Sequence, residues 1–211
     1  MTDGVMPIYL AGRAHSGSTF LDVLLNGHRD IKGCGGIVDA INRGPDELCS
    51  CGTRIRECPA WAEVFAAYRS IRGRSLDDDK QLLFDGTDIR RFGSALRSNP
   101  GDPSDPWHDY AAATRALSAA IGRSFGVRAY VDSNKEYTRA LMMLKDPTAL
   151  PALVVAPTHL PNQWLRELNT VWPDLKGHLA TEFSFADAPI DLKFCASVVA
   201  ESLKRHATAS Q

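Results

Sequence analysis

Three short apolar runs stand apart from longer segments of mixed polarity along the chain. They occupy residues 7–11, 128–132 and 152–157 and have the sequences PIYLA, RAYVD and ALVVAP. Each run has the length of a buried strand, and the segments between them have helical spacing of apolar positions. Because strands that alternate with helices form parallel sheets, the pattern predicts an α/β fold with helices on both faces of the sheet.

The segments between these runs predict several helices. From Ser18 the sequence STFLDVLLNG places Phe20, Leu21, Leu24 and Leu25 on one helical face and ends at an Asn-Gly stop. Another helix is expected to begin at a Ser or Asn cap directly after residue 132. Residues 32–60 are rich in Gly, Cys, Pro and charge and are predicted to be irregular. Further helical patterns cover residues 60–70, 79–97 and 107–125, with a break at 99–106, and weaker ones cover 164–171 and 192–205.

Length and topology predict one domain over residues 1–211. Its middle portion, about residues 34–126, is expected to form a helical cap inserted between the first and second predicted strands. The tail, residues 161–211, has the weakest pattern.

Composition excludes some partners. The formal net charge of -1 provides no general attraction for nucleic acid or acidic lipid, so any anion site must be local. No apolar run approaches the roughly 18 residues of a membrane helix, and the start, MTDGVMP, does not resemble a secretory signal. Four of the five cysteines fall within residues 34–58, unlike a secreted disulfide framework. We therefore expect a cytoplasmic protein with no membrane partner.

A candidate anion-binding loop follows the first predicted strand. Gly12, Gly17 and Thr19 match the phosphate-loop pattern, but Ser18 occupies the position of its lysine. Two glycines allow a tight turn of main-chain amides, and the helix start adds its positive dipole end. Hydroxyl groups of Ser16, Ser18 and Thr19 add donors. Without the lysine the pattern disfavours triphosphate hydrolysis and favours a phosphate ester or phosphosulfate.

Three stretches carry a family resemblance. GRAHSGSTFLDVLLNGH at the loop, CSCGTRIRECPAW at residues 49–61 and YVDSNKEYTRALMML at residues 130–144 resemble segments of sulfotransferases that use 3′-phosphoadenosine 5′-phosphosulfate (PAPS). The resemblance spans about residues 7–160. It implies a P-loop-like α/β fold and transfer of a sulfuryl group to a hydroxyl or amine of a small-molecule or glycan acceptor. PAPS would be the co-substrate, 3′-phosphoadenosine 5′-phosphate (PAP) the product, and no metal would be required.

The resemblance also implies roles for individual residues. Residues 16–19 would cradle the 5′-phosphate, and His15 would lie near the leaving oxygen. Ser133 and Lys135, at the carboxyl end of a strand, would reach the cofactor, although Asp132 and Ser133 could instead cap the next helix. Arg139 would contribute to the cofactor site or pair with Glu136. The complete set of predicted cofactor-binding residues is Gly12, Arg13, Ala14, His15, Ser16, Gly17, Ser18, Thr19, Ser133, Lys135 and Arg139.

The chain departs from the family pattern at two points. Pro161 and Asn162 stand where relatives carry the arginine that grips the 3′-phosphate. The Gly-Glu of many relatives is also missing after the first helix, which leaves His28 and Asp39 as candidate general bases or as surface groups. We therefore keep two alternatives, a degenerate non-catalytic nucleotide or phosphate binder and a P-loop kinase. The chain could also be a divergent short form or a truncated product.

The cysteine cluster has three interpretations. Cys49, Cys51 and Cys58, with Cys34 nearby, could bind zinc through four thiolates, form a disulfide or remain plain thiols. Structural zinc sites usually have two separate Cys-x2–4-Cys knuckles, a spacing that this chain does not reproduce. The sequence therefore predicts no metal site here and favours a disulfide or free thiols.

Overall fold

The computed structural model describes residues 5–10, 18–44, 46–145 and 153–154. These residues form an α/β structure with a parallel sheet flanked by helices, which confirms the α/β class of the predicted fold. The sheet order is β2-β3-β1-β4, and β1 pairs with both β3 and β4. The strands are β1 (Met6–Tyr9), β2 (Ile31–Gly33), β3 (Ala129–Asp132) and β4 (Leu153–Val154).

Helices supply most of the described structure. None of those in the described ranges has both the length and the apolar character needed to cross a membrane. A 3-10 helix, Ile89–Arg91, leads directly into α5. The α-helices are α1 (Ser18–Asn26), α2 (Ile37–Asn42), α3 (Pro59–Arg72), α4 (Leu76–Asp85), α5 (Phe92–Arg97), α6 (His108–Phe125) and α7 (Tyr137–Lys145).

Local sequence explains where the middle helices start and stop. Pro59 occupies the first turn of α3, where its missing N–H costs nothing, and Gly73 ends that helix at φ 79°. Ser75 and Asp78 form a reciprocal capping box at the start of α4. Gly126 ends α6 at φ 63°. α3 and α6 confirm the helices that apolar spacing predicts over residues 60–70 and 107–125.

The main core lies between α6 and the helices that pack on it. The alanine-rich α6 buries Ala113, Leu117 and Ile121, and small side chains let its neighbours approach closely. Trp61 of α3 meets Phe125 of α6 edge to face, with ring centroids 6.1 Å apart. A Cβ added to Gly86, just after α4, would lie 1.8 Å from the Tyr110 ring, so glycine is required for that contact.

Some local predictions were wrong. The supposedly irregular residues 32–60 contain most of β2 and all of α2, two elements too short to show a clear hydrophobic period. The predicted helix over 79–97 is divided into α4, the 3-10 helix and α5. In α1, Leu24 and Leu25 are buried as predicted, but Phe20 is 66% exposed because it lies at the border of the buried arc.

The helix after β3 also begins later than predicted. It starts at Tyr137 instead of Ser133 or Asn134, so Asp132 and Ser133 do not cap it. Residues 133–136 form a loop in which Lys135 has φ 65°, the left-handed region that few non-glycine residues adopt. The late start places Ser133 and Lys135 in a loop at the end of a strand.

Several predictions concern residues outside the described ranges. These are the loop residues 11–17, the helices over 164–171 and 192–205, and the rest of the third predicted strand. Helices α2 to α6 fall between β2 and β3 in the chain, where the sequence places the cap.

Candidate functional site

The order of the strands defines one distinctive point at the carboxyl edge of the sheet. Strands β1 and β3 are neighbours, with Tyr9 opposite Asp132. The connection from β1 passes β3 to reach β2, whereas the connection from β3 passes β1 to reach β4. The two connections therefore run in opposite directions along the sheet. In open parallel sheets, ligands bind where neighbouring strands send their connections in opposite directions. Leu10 and residues 133–136 leave the sheet at this point.

A buried ion pair lies under this edge. The Arg139 side chain is fully buried; its Nε donates to Asp132 Oδ2 over 2.8 Å, and its Nη1 donates to the Tyr110 hydroxyl over 3.0 Å. The backbone N–H of Leu10 donates to the Asp132 carbonyl. Arg139 therefore pairs with Asp132 and not with Glu136, and its side chain is buried beneath the edge.

The loop after β3 is held by hydrogen bonds at both ends. The Asn134 N–H donates to Asp132 Oδ1, and the Tyr9 hydroxyl donates to the Glu136 carbonyl over 2.9 Å. Burial, followed by the Asp132 charge, raises the pKa of Tyr9, so its hydroxyl stays protonated and remains a donor. Ser133 and Lys135 are half-buried on this loop.

The loop after β2 meets the loop after β3. The Ser133 N–H donates to the Gly35 carbonyl over 2.9 Å, and the Val38 N–H donates to Asn134 Oδ1 over 3.1 Å. Gly35 has φ 60°, a left-handed conformation that favours glycine. The loops after β2 and β3 therefore meet at the same edge, next to the end of β1.

Helix α1 begins at that edge. Ser18 is buried and Thr19 is exposed at its first turn, and no acidic residue occupies that turn. The free N–H groups and positive dipole end of a helix start favour an anion. The remaining predicted loop residues lie outside the described part of the chain: Gly12, Arg13, Ala14, His15, Ser16 and Gly17.

Asp22 is a site residue that the sequence analysis missed. Its Oδ2 accepts from the Gly35 N–H over 3.2 Å, and burial raises the pKa of its carboxyl group to about 6. Close packing of α1 on β2 explains the burial, since a Cβ added to Gly33 would lie 2.8 Å from Asn26 Cβ. The one signal in the sequence is a carboxylate within the apolar run STFLDVLLNG.

Two polar atoms near the edge have no partner among the described residues. They are Asp22 Oδ1 and Asn134 Nδ2, both buried. A buried donor or acceptor without a hydrogen bond costs about 1–3 kcal/mol, so such atoms often mark a place where a ligand or water completes the bonding. Asn134 was also absent from the predicted site.

Asp39 lies in the first turn of α2, beside the edge. A Cβ added to Gly36 would lie 3.6 Å from its Oδ2 and 3.9 Å from Asn134 Oδ1. Burial raises the pKa of Asp39, and burial followed by the Asp39 charge raises the pKa of Glu136. Burial also raises the pKa of the Cys34 thiol well above its usual range. The edge thus contains groups that hold protons more strongly than free side chains do.

His28 lies at the other edge of the sheet. It follows α1, whose nine residues span about 13 Å, and its carbonyl accepts from the first N–H of β2. Its side chain lines a cavity of about 610 Å³ together with Arg29, Lys32 and Phe125. Of the two predicted general bases, the structure brings only Asp39 to the carboxyl edge.

Comparisons with known proteins do not identify a family. No protein-family model, curated protein or solved structure that was compared with the chain matches it. The sulfotransferase resemblance stays a prediction from the sequence.

The raised pKa of Asp22 predicts a specific pH dependence of stability. A folded-state pKa of about 6, above the usual 3.8, means that stability is lost as the pH rises between these values. We expect wild type to lose stability relative to Asp22→Asn from pH 4 to pH 7 in urea unfolding experiments.

Asp102→Asn is the matched control with the opposite sign. Hydrogen bonds from the Ser104 N–H and hydroxyl lower the pKa of Asp102, so wild type should lose stability relative to this variant as the pH falls. Parallel pH profiles for wild type and Asp22→Asn would show that Asp22 has an ordinary pKa.

Proposed function

We propose that the chain is a cytoplasmic sulfotransferase of P-loop-like fold with a helical cap. It would transfer a sulfuryl group from PAPS to the hydroxyl or amine of a small-molecule or glycan acceptor. The observation that carries the proposal is the pairing of β1 with β3. This pairing supports the proposal that the two segments that resemble sulfotransferase cofactor loops form one crevice. More than a hundred residues separate these segments in the chain.

The nucleotide would bind along the β1 and β3 connections. Residues 11–17 and the first turn of α1 would hold the 5′-phosphosulfate through main-chain N–H groups and the hydroxyls of Ser18 and Thr19. On the neighbouring loop, Ser133 and Lys135 would bind the nucleotide side. Lys135 is suited to this role because its ammonium has no hydrogen bond or ion pair among the described residues, and its backbone is fixed at φ 65°.

Arg139 and Asp132 would act as positioning residues. Their charges neutralise each other beneath the crevice, and the Asp132 carboxylate and carbonyl accept from the N–H groups of Asn134 and Leu10. A fixed loop lowers the entropic cost of ordering groups around a ligand. This role accounts for the segment's resemblance to a cofactor loop, although Arg139 does not reach the crevice.

Asp39 is the described residue best suited to remove a proton from the acceptor. The acceptor oxygen or nitrogen would bond to sulfur, the bond between sulfur and the 5′-phosphate oxygen would break, and PAP would leave. The proton of the acceptor would pass to the Asp39 carboxylate. Its raised pKa makes it a stronger base than an exposed aspartate. His15 retains the role implied by the resemblance, near the leaving oxygen.

Calorimetry with PAP tests the nucleotide site. We expect saturable binding to wild type and about tenfold or greater weakening by Lys135→Gln, because a hydrogen bond to a charged group contributes about 1.5–3 kcal/mol. Lys80→Gln is the matched control, since Lys80 lies on α4 and lines a different cavity. No heat at millimolar PAP, or equal affinities for both lysine variants, would refute the assignment.

Sulfuryl transfer from radiolabelled PAPS tests the reaction. Release of labelled sulfate to water serves as a readout that needs no known acceptor, and a panel of alcohols and amines follows. Asp39→Asn should lower kcat on these acceptors by about 10²–10⁴-fold without changing the Kd for PAP, because a general base contributes on that scale. His28→Gln, the other predicted base, should retain wild-type activity.

The outcomes separate the alternatives. PAP binding without any transfer would favour the non-catalytic binder, in keeping with Pro161 and Asn162 at the position of the family's arginine. Magnesium-dependent ATP consumption would favour the kinase. Loss of activity in His28→Gln with full activity in Asp39→Asn would reverse the assignment of the base.

A further inference from the structure

Three cysteines that the proposed reaction does not use converge at the start of α3. The sulfur atoms of Cys49, Cys51 and Cys58 all lie within 4.8 Å of one another. Cys51 and Cys58 have an Sγ–Sγ distance of 3.6 Å. Cys34 is not part of this group; its thiol lies at the end of β2 and donates to the Lys32 carbonyl.

The sulfur separation distinguishes two of the interpretations of this cluster. A disulfide has an S–S bond of about 2.05 Å. Two thiolates on a tetrahedral zinc ion, each about 2.3 Å from the metal, lie about 3.8 Å apart by geometry. The distance of 3.6 Å is close to the second value.

The backbone presents the three sulfurs from two adjacent elements. Cys49 and Cys51 lie on a tight turn closed by the Gly52 N–H donating to the Cys49 carbonyl and the Cys49 N–H donating to the Thr53 carbonyl, both over 2.8 Å. Gly52 has φ 84°, which lets the chain reverse within the turn. Cys58 is the N-cap of α3, where the helix dipole favours a negatively charged thiolate.

We propose that Cys49, Cys51 and Cys58 bind a zinc ion through three thiolates, with a water molecule as the fourth ligand. Cys58 is buried, Cys49 is half-buried and Cys51 is exposed, so the cluster is dry on one side and open to solvent on the other. The described residues include no fourth Cys, His, Asp or Glu in the group, and the open side at Cys51 admits water. The sequence did not predict this site because the spacing Cys-x-Cys-x6-Cys lacks two separate Cys-x2–4-Cys knuckles.

The metal would fasten a segment with little regular structure to the helical core. The turn belongs to a short hairpin in which Leu48 bridges to Arg54, and Ile55 next to it is buried. Arg56 then donates to the Ile41 carbonyl of α2, the helix that carries Asp39. Zinc binding would therefore stabilise the segment whose Arg56 holds α2 in place. This inference does not depend on the proposed sulfotransferase activity.

Metal analysis of the full chain, purified without chelator from zinc-supplemented cells, tests the site. We expect about one zinc per chain, at least tenfold weaker zinc binding after Cys51→Ser, and unchanged zinc content in the matched control Cys34→Ser. Absence of zinc in wild type, or equal loss in both variants, would overturn the proposal.

X-ray absorption at the zinc edge tests the site in wild-type protein alone. This measurement decides the question even if the serine variants do not fold. Three sulfur neighbours at about 2.3 Å and one oxygen at about 2.0 Å are expected. A shell of nitrogen and oxygen alone would indicate adventitious metal and reject the site. Non-reducing mass spectrometry after alkylation in denaturant should show all three cysteines modified; a disulfide between any two of them would also reject it.

Discussion

The buried ion pair of Asp132 and Arg139 is the interaction on which the carboxyl edge depends. It joins the end of β3 to α7, extends through Tyr110 to α6, and lies where Leu10 of the β1 connection bonds to the Asp132 carbonyl. Neither charge has access to solvent. Removing one partner from such a pair costs about 3–5 kcal/mol, because the other charge is left buried without compensation.

This pair also determines what the edge offers a ligand. Because Arg139 pairs with Asp132, the partly exposed polar side chains of the loop above are those of Ser133 and Lys135. The hydrogen bond of Tyr9 to the Glu136 carbonyl closes the same loop from the β1 side. The proposed nucleotide site therefore rests on a pair of buried charges and on hydrogen bonds that fix the loop at both ends.

The sequence predicted elements whose hydrophobic pattern is strong, and it failed where the determining contacts are distant. β1, α1, α6 and β3 follow from apolar runs and an alanine-rich period. β2 and α2 are only three and six residues long and depend on packing against α1 and the core. The late start of α7 follows from the bonds that Asp132 and Tyr9 make to the loop.

The sequence likewise indicated the position of only some residues of the candidate site. Ser133 and Lys135 could be placed at the edge because they follow a predicted strand. Arg139 was linked to the cofactor or to Glu136, whereas the fold pairs it with Asp132 across the start of the following helix. Asp22 and Asn134 acquire their roles from contacts with Gly35 and Val38, which no local pattern reveals. His28 was placed near the site because it follows α1, but the helix carries it to the opposite edge.

Hydrogen exchange with and without PAP tests the central claim, that the β1 and β3 connections form one nucleotide site. The account predicts slower amide exchange in residues 11–20 and 133–136 on adding PAP, with no change in residues 26–32 at the amino edge. Protection confined to the amino edge, or the same exchange with and without the nucleotide, would contradict it.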